Sequence, residues 1–351
     1  MFLDEKKQPY VSLLLRVILM SEFDLAKYER EWPSFEEIFG VTASQVITGM
    51  NQSGDDIPEQ KPNYALNIQA AGVTRTNIPV KILHPFDSRQ VVQIVCSLVA
   101  NTEVPSYKRG IHMSRIGDII ANSTTYTYAN LQEYTEQIAE SLSKLEYQGL
   151  SQVKAFGQVP YLEKVKGWIS EKNKLSLEHI GLTASSVTNK GNGYKQSAGI
   201  TISNITACPC VQSTYKHTLL QKGYEDIEKQ IVTPLITHSQ RCKTTIEILD
   251  LPRNSVLPIK DLIASVDQGI VRVQNTLPRE HELLMVYQAH KKPQFIEDVV
   301  REMAFKTYQV VKNDFHGSSI RVYSESMESI HDFDIQAEFK DSIENLKKAW
   351  N

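Results

Sequence analysis

The chain has 351 residues, 41% of them hydrophobic and 23% charged, with a formal net charge of -3. That length points to two domains, and the composition to a soluble globular protein. No global basic field is present to hold DNA or RNA, so any anion site must be local. Four cysteines in so long a chain exclude a disulfide scaffold and favour a reducing, cytoplasmic setting.

In chain order, YVSLLLRVILM (10–20) is apolar, but it is too short for a bilayer and Arg16 interrupts it. It reads as an amphipathic helix or a start assigned too early, not a signal peptide, and no membrane partner is expected. Residues 1–60 read as an N-terminal extension, partly disordered, that runs into the polar stretch NQSGDDIPEQKPN (51–63). NYALNIQAAGV (63–73) and IPVKILH (78–84) predict a hairpin. SRQVVQIVCSLVA (88–100) has helical spacing, as does NLQEYTEQIAESLSKLE (130–146), with Ile138, Leu142 and Leu145 on one stripe. LSLEHIGLTASSVT (175–188) and SAGITISNITACP (197–209) read as strands around the turn NKGNGY.

The second half repeats this order. CKTTIEILD (242–250) predicts a strand, and IKDLIASVDQGIVRVQ (259–274) a helix. PQFIEDVVREMAFKTYQVV (293–311) predicts another helix, with Pro293 in its first turn. SIRVYSES (319–326) and DFDIQAEF (332–339) are strands. Two strands, two helices, two strands in each half predict an α+β fold, with antiparallel sheets and helices packed on one face. The expected modules are 61–190 and 191–347, the second carrying most of the site motifs.

TACPCVQSTYKH (206–217) places Cys208 and Cys210 around a proline, a spacing that matches neither a zinc knuckle nor a thioredoxin motif. A disulfide, a redox pair, a metal ligand and a buried turn all remain open from the spacing. THSQR (237–241) adds His238 and Arg241, and ESMESIHDF (325–333) adds Glu328 and His331 in an expected turn. Thiolate, imidazole and carboxylate together suit a divalent ion such as zinc or ferrous iron. YKRGIHMSRIGD (107–118) gathers Lys108, Arg109, His112, Ser114 and Arg115 around Gly110. It is either a solvated basic loop or a grip for phosphates. Glu297 stands early in a helix, where a carboxylate is favourable in itself. At the edge of the stripe Ile296, Val299, Val300 and Met303, it could also accept two parallel hydrogen bonds from an amidine-like N–H pair such as that of guanine.

KRGIHMSR, CPC, HSQR, KKPQFIEDVVRE and ESIH, in this order over residues 62–342, resemble GTP cyclohydrolase IB, a metal-dependent family. The resemblance implies tandem tunnelling-fold modules, a homotetramer or homodimer, and active sites at module or subunit interfaces. It implies Cys208, His238, Glu328 and His331 as the metal site, with Fe2+ the expected ion and Mn2+ or Zn2+ its rivals, and Glu297 as the guanine anchor. GTP is the implied substrate. Lys108, Arg109, Ser114, Arg115 and Arg241 are candidates for its triphosphate by charge, and His112 is a proton donor or phosphate contact. Ser239 and Phe333 depart from the bacterial pattern of HNQR and IHNH, and the stretch between Cys208 and His238 is long. These features resemble the archaeal branch, whose product is 7,8-dihydroneopterin 2′,3′-cyclic phosphate; bacterial members make 7,8-dihydroneopterin triphosphate. The rival readings are a nitrile reductase of the same fold, which needs a nucleophilic cysteine and NADPH, and a metal-binding oligomer without activity.

Overall fold

The computed structural model describes residues 33–42, 44–45, 56–145, 149–166, 173–189, 194–224, 234–275 and 277–350. The apolar stretch 10–20, the centre of the turn after residue 189 and much of the insertion before His238 lie outside the described residues. Met1–Asp56 and Ile57–Asn351 are separate units. In the first, α1 (Phe35–Phe39) opens on a reciprocal cap, Ser34 Oγ accepting from the Glu37 N–H and the Glu37 carboxylate from the Ser34 N–H. Gly40, at φ 67°, ends it in the left-handed region.

In the second unit the expected hairpin over 63–84 is instead one long strand, β1 (Ile68–His84). The Thr/Asn turn is absorbed as an irregularity between Arg75 and Ile78, where Asn77 takes φ 58°. Residues 88–100, expected to be helical, form β2 (Asp87–Val104). Ile94, Cys96, Leu98 and Ala100 are buried between exposed neighbours such as Val91 and Val95. That period of two, in a run of β-branched residues, outweighs the helical spacing.

The basic segment runs into α2 (Met113–Ser123), followed by β3 (Thr127–Tyr128) and α3 (Leu131–Ser143). Asn130 caps α3 by accepting from the Glu133 N–H, and Tyr134, Ile138 and Leu142 form its buried stripe. Then come β4 (Leu150–Lys166), β5 (Asn173–Asn189) and β6 (Tyr194–Ala207). Next are α4 (Pro209–Gln221), β7 (Ser239–Leu249), α5 (Ile259–Gly269), β8 (Val271–Arg272) and α6 (Arg279–Lys291). The chain closes with α7 (Ile296–Val311), β9 (Ser319–Met327), β10 (Ile335–Ser342) and α8 (Ile343–Trp350). Pro293 lies before α7 instead of in its first turn. Phe295 is the N-cap, and the Asp298 carboxylate accepts its N–H at 3.1 Å.

The described strands make one sheet in the order β10-β9-β7-β6-β5-β4-β2-β1-β3, with β8 added on β6. All pairings are antiparallel except β1 with β3. β1-β2-α2-α3-β4-β5 and β6-β7-α5-α7-β9-β10 are two copies of one order, with β3 added to the first and α4, β8 and α6 to the second. The tandem α+β expectation therefore holds, although the first copy is built from different strands than the sequence pattern indicated. A single core joins the helices of both copies to one face of the sheet, from Ile82 and Ile138 in the first to Val299, Met303 and Tyr308 in the second. At Gly199 a Cβ would come within 2.2 Å of the Ile246 carbonyl oxygen, so the close approach of β7 to β6 needs glycine there. Among the described residues no helix is long and apolar enough to cross a membrane.

Candidate active site

Adjacent antiparallel strands alternate in direction, so the C-terminal ends of β6 and β9 and the starts of β7 and β10 share one end of the sheet. Each carries a sequence-predicted residue. Cys208 directly follows β6 and is the N-cap of α4, with Pro209 at the first helical position, where its missing N–H costs nothing. His238 directly precedes β7. Glu328 and His331 lie in the loop from β9 to β10. Glu297 is the second residue of α7, and the entry to α7 is fixed by the Gln294 N–H donating to the Ala207 carbonyl at 3.0 Å.

These five residues line one cavity of about 390 Å³, together with Cys210, Gln240, Gln294, Phe295, Ile296, Ser326, Phe333 and Ile335. The volume is in the range of small-molecule sites. His238 Nδ1 lies 3.2 Å from Ser329 Oγ, which leaves Nε2 as its second ring nitrogen for a ligand. The His238 and His331 rings stand edge to face with centroids 6.5 Å apart. Phe333 stacks on His331 at 5.0 Å with the planes 8° apart, so the residue that departs from the bacterial pattern holds this imidazole's orientation. Glu328 Oε1 accepts from Ser326 Oγ at 2.8 Å, and the Glu328 N–H donates to Asp334 Oδ1.

A thiol, two imidazoles and a carboxylate on one cavity fit a borderline divalent ion in chemical type. Their spacing is open. Two imidazoles on one tetrahedral ion have ring centroids about 5 Å apart, and among the described residues no three His, Cys, Asp or Glu side chains stand at coordination distance. The other two cysteines, Cys96 and Cys242, are buried in the sheet. Burial pushes the Cys96 thiol up to about 12 and raises that of Cys242 as well, which keeps both protonated.

The remaining predicted residues lie elsewhere. Side chains alternate along β7, so Arg241 faces the side of the sheet opposite Cys242 and the cavity. There it lines a space of about 280 Å³ with Lys243, His179 and Phe156. The 107–118 segment follows β2 at Val104. That end of β2 aligns through Leu150, Asn189 and Tyr194 with the start of β6, whereas Cys208 follows the end of β6. The fourteen residues of β6 separate the two ends by roughly 40 Å. Lys108 Nζ is 2.6 Å from Glu59 Oε2 and His112 Nε2 is 3.2 Å from Glu59 Oε1. Arg109 donates to Gln60 Oε1 at 3.1 Å. Ser114 and Arg115 fall in the first turn of α2. A larger cavity of about 570 Å³ lies beside Arg253, Glu136 and Glu140, at the end of the sheet away from Cys208, and contains none of the predicted residues. Sequence reasoning missed Gln240, Ser329 and Phe295, although they sit inside HSQR, ESIH and KKPQFIEDVVRE; it also missed Ser326, just before ESIH.

A profile of the type I GTP cyclohydrolase folE2 family matches residues 55–337. The chain belongs to this family of enzymes. It is 29% identical over 299 residues to the GTP cyclohydrolase MptA of Thermoplasma volcanium, covering 84% of this chain and 98% of the relative. It is 27% identical over 308 residues to that of Methanococcus vannielii, covering 83% and 97%, and 27% over 307 residues to that of Methanocaldococcus jannaschii, covering 84% and 96%. These relatives agree with the archaeal-type resemblance seen at Ser239 and Phe333. A uricase from Arthrobacter globiformis aligns with a TM-score of 0.44 at 7% identity, over 78% of this chain and 94% of the uricase.

Proposed function

We propose that the chain hydrolyses GTP at C8 of the guanine ring, releases formate and recloses the ring to a dihydropterin, the entry step of pterin synthesis. The observation that carries this reading is the convergence of Cys208, His238, Glu328, His331 and Glu297 on one cavity from four strand ends and a helix start. In this reading the Glu297 carboxylate accepts from N1–H and the 2-amino group of the base, turning C8 toward the thiol and the imidazoles. Cys208, His238 and His331 hold a divalent cation, ferrous iron first and manganese or zinc as rivals, with Glu328 as a further ligand or proton carrier. When bound, the cation supplies the Lewis acidity that makes water a competent nucleophile near neutral pH. Ser329 and Phe333 orient the two imidazoles, and sharing one ion would still require their centroids to close from 6.5 Å to about 5 Å, so reorganisation includes the loop that carries His331.

The 107–118 segment is too far along the sheet to reach a nucleotide in the same subunit's cavity. If Lys108, Arg109, Ser114, Arg115 or His112 contacts the triphosphate, a second copy of the chain supplies it, which calls for a homodimer or homotetramer. Arg241, on the opposite face, has the same constraint unless the triphosphate wraps the sheet end. We take the cyclic phosphate as the product, formed when the 2′-hydroxyl of the new dihydroneopterin side chain, the former ribose C4′ oxygen, attacks the α-phosphate on the 3′ oxygen and pyrophosphate leaves. The test is anaerobic incubation of the purified chain with GTP and ferrous iron, with mass spectrometry of the product. A dihydroneopterin cyclic phosphate with stoichiometric formate is expected; no formate with iron, manganese or zinc overturns the proposal.

A further inference from the structure

Gln240 is the one cavity-lining side chain with a buried hydrogen-bonding atom that lacks a partner among the described residues: its Oε1. Its other end is committed, since Nε2 donates to Thr206 Oγ1 at 3.3 Å across the β6–β7 pair. The Thr206 hydroxyl also lies within hydrogen-bonding reach of the Cys242 sulfur, which leaves an oxygen lone pair of Thr206 for the amide. The carboxamide is thus held with its oxygen as the free acceptor. Folded proteins rarely leave a buried acceptor unpaired, because its lost hydration is not recovered. When they do at a cavity, a ligand donor is the natural partner.

Guanine offers three N–H bonds on its pyrimidine edge: N1–H and two on the 2-amino group. One carboxylate can accept two parallel bonds, as Glu297 is placed to do, and the third N–H then needs its own acceptor. Among the described residues the cavity has one buried side-chain acceptor without a donor, and the base, once Glu297 has taken two of its N–H bonds, has one donor without an acceptor. We infer that the Gln240 carboxamide oxygen accepts the second N–H of the 2-amino group, and so makes the site selective for guanine over hypoxanthine. This rests on the guanine reading of the cavity. Buried polar groups left unpaired are the strongest source of discrimination between close substrates, and a position that tightens the 2-amino contact also fixes the tilt of the ring at C8.

The test compares GTP with inosine triphosphate, which lacks the 2-amino group, by equilibrium titration of the full-length chain with metal chelated so that no turnover occurs. Gln240→Met keeps the side-chain length and removes the acceptor; Gln240→Asn, read alongside, keeps an amide that cannot reach as far. Gln240→Met is expected to weaken GTP binding about 5- to 100-fold and to leave inosine triphosphate binding within about twofold, so the preference for GTP shrinks. Asn is expected to fall between wild type and Met. Equal loss for both nucleotides, or an unchanged GTP preference in a variant that melts like wild type, overturns the role of Gln240 while leaving the guanine site standing. Failure of the wild-type chain to bind GTP at all overturns the guanine reading, and this inference with it.

Discussion

The backbone N–H of Cys208 donates to the carbonyl of His238 at 3.0 Å, and the hydroxyl of the neighbouring Thr237 donates to the Cys208 carbonyl at 2.7 Å. Two residues thirty positions apart are thereby clamped at one end of the sheet, whatever the intervening insertion does. The side-chain sulfur takes no part in the clamp, since Cys208 caps α4 without a side-chain hydrogen bond. Cys208→Ala should therefore leave the fold intact, with a change in stability within about 0.5 kcal/mol. Turnover of GTP should fall by more than ~100-fold and bound metal should be lost, because removing even a supporting partner of a metal ligand costs about 10- to 100-fold in affinity. Metal analysis and a thermal melt on the same sample check both halves. Full metal occupancy in the variant would sink the ligand assignment.

Thr237→Val isolates the clamp. Thr237 is nearly buried, and valine keeps its shape while removing the donor to Cys208. The expected cost is about 1 kcal/mol of stability, with a lower kcat and a KM for GTP that hardly moves, because the thiol is displaced and the guanine anchor on α7 is not. A steady-state analysis separates the two constants. A raised KM at constant kcat would mean that the clamp serves binding instead.

Much of this arrangement was legible in the sequence, and the reasons differ by residue. Cys208, His238, Glu297, Glu328 and His331 sit in short motifs readable in this one sequence, and strand alternation then brings them to one end of the sheet. β2 was misread because Val91, Val92, Val95 and Leu98 satisfy a helical stripe over a few residues, while the burial of Ile94, Cys96, Leu98 and Ala100 follows a period of two. β4 was missed because Pro160 and a run of charges break its apolar pattern, which only the full-length pairing with β5 compensates. Gln240 carried no signal of its own. An amide becomes informative only when its partners are known, and those are Thr206 on the adjacent strand and an empty position for Oε1.

Glu297→Gln tests the anchor without altering shape. Its carboxylate sits in the first turn of α7, where charge alone is worth some tenths of a kcal/mol to the helix. Asp298 already caps the Phe295 N–H, so the melt should shift little. GTP affinity should drop about 10- to 100-fold, the size of a charge-assisted hydrogen bond lost to a bound ligand, with metal content unchanged. A binding titration that finds wild-type affinity for GTP in this variant would remove Glu297 from the site.

The edge of the sheet next to the cavity should be acid-sensitive. Arg321 on β9 donates to Glu338 on β10 at 2.9 Å and to Glu247 on β7 at 2.6 Å, tying the edge strand to its two neighbours. Ile335, at the start of β10, lines the cavity, so loosening this strand reaches the site. The hydrogen bond from Arg321 holds the Glu338 carboxyl below its ordinary value of 4.5, outweighing the opposing effect of burial. A carboxyl with a lowered native pKa contributes stability that is complete above its unfolded value and is lost as pH falls through the native one. The contribution should thus be intact at neutral pH and disappear below about pH 4.5. Glu338→Gln removes the titrating group while keeping an acceptor for Arg321. In denaturant melts from pH 7 downward, the variant should be less stable than wild type at neutral pH and converge with it in acid, and high salt should shrink the difference because the pair is largely exposed. Parallel acid profiles for the two proteins would show that the Arg321–Glu338 pair does not set the acid limit of this edge.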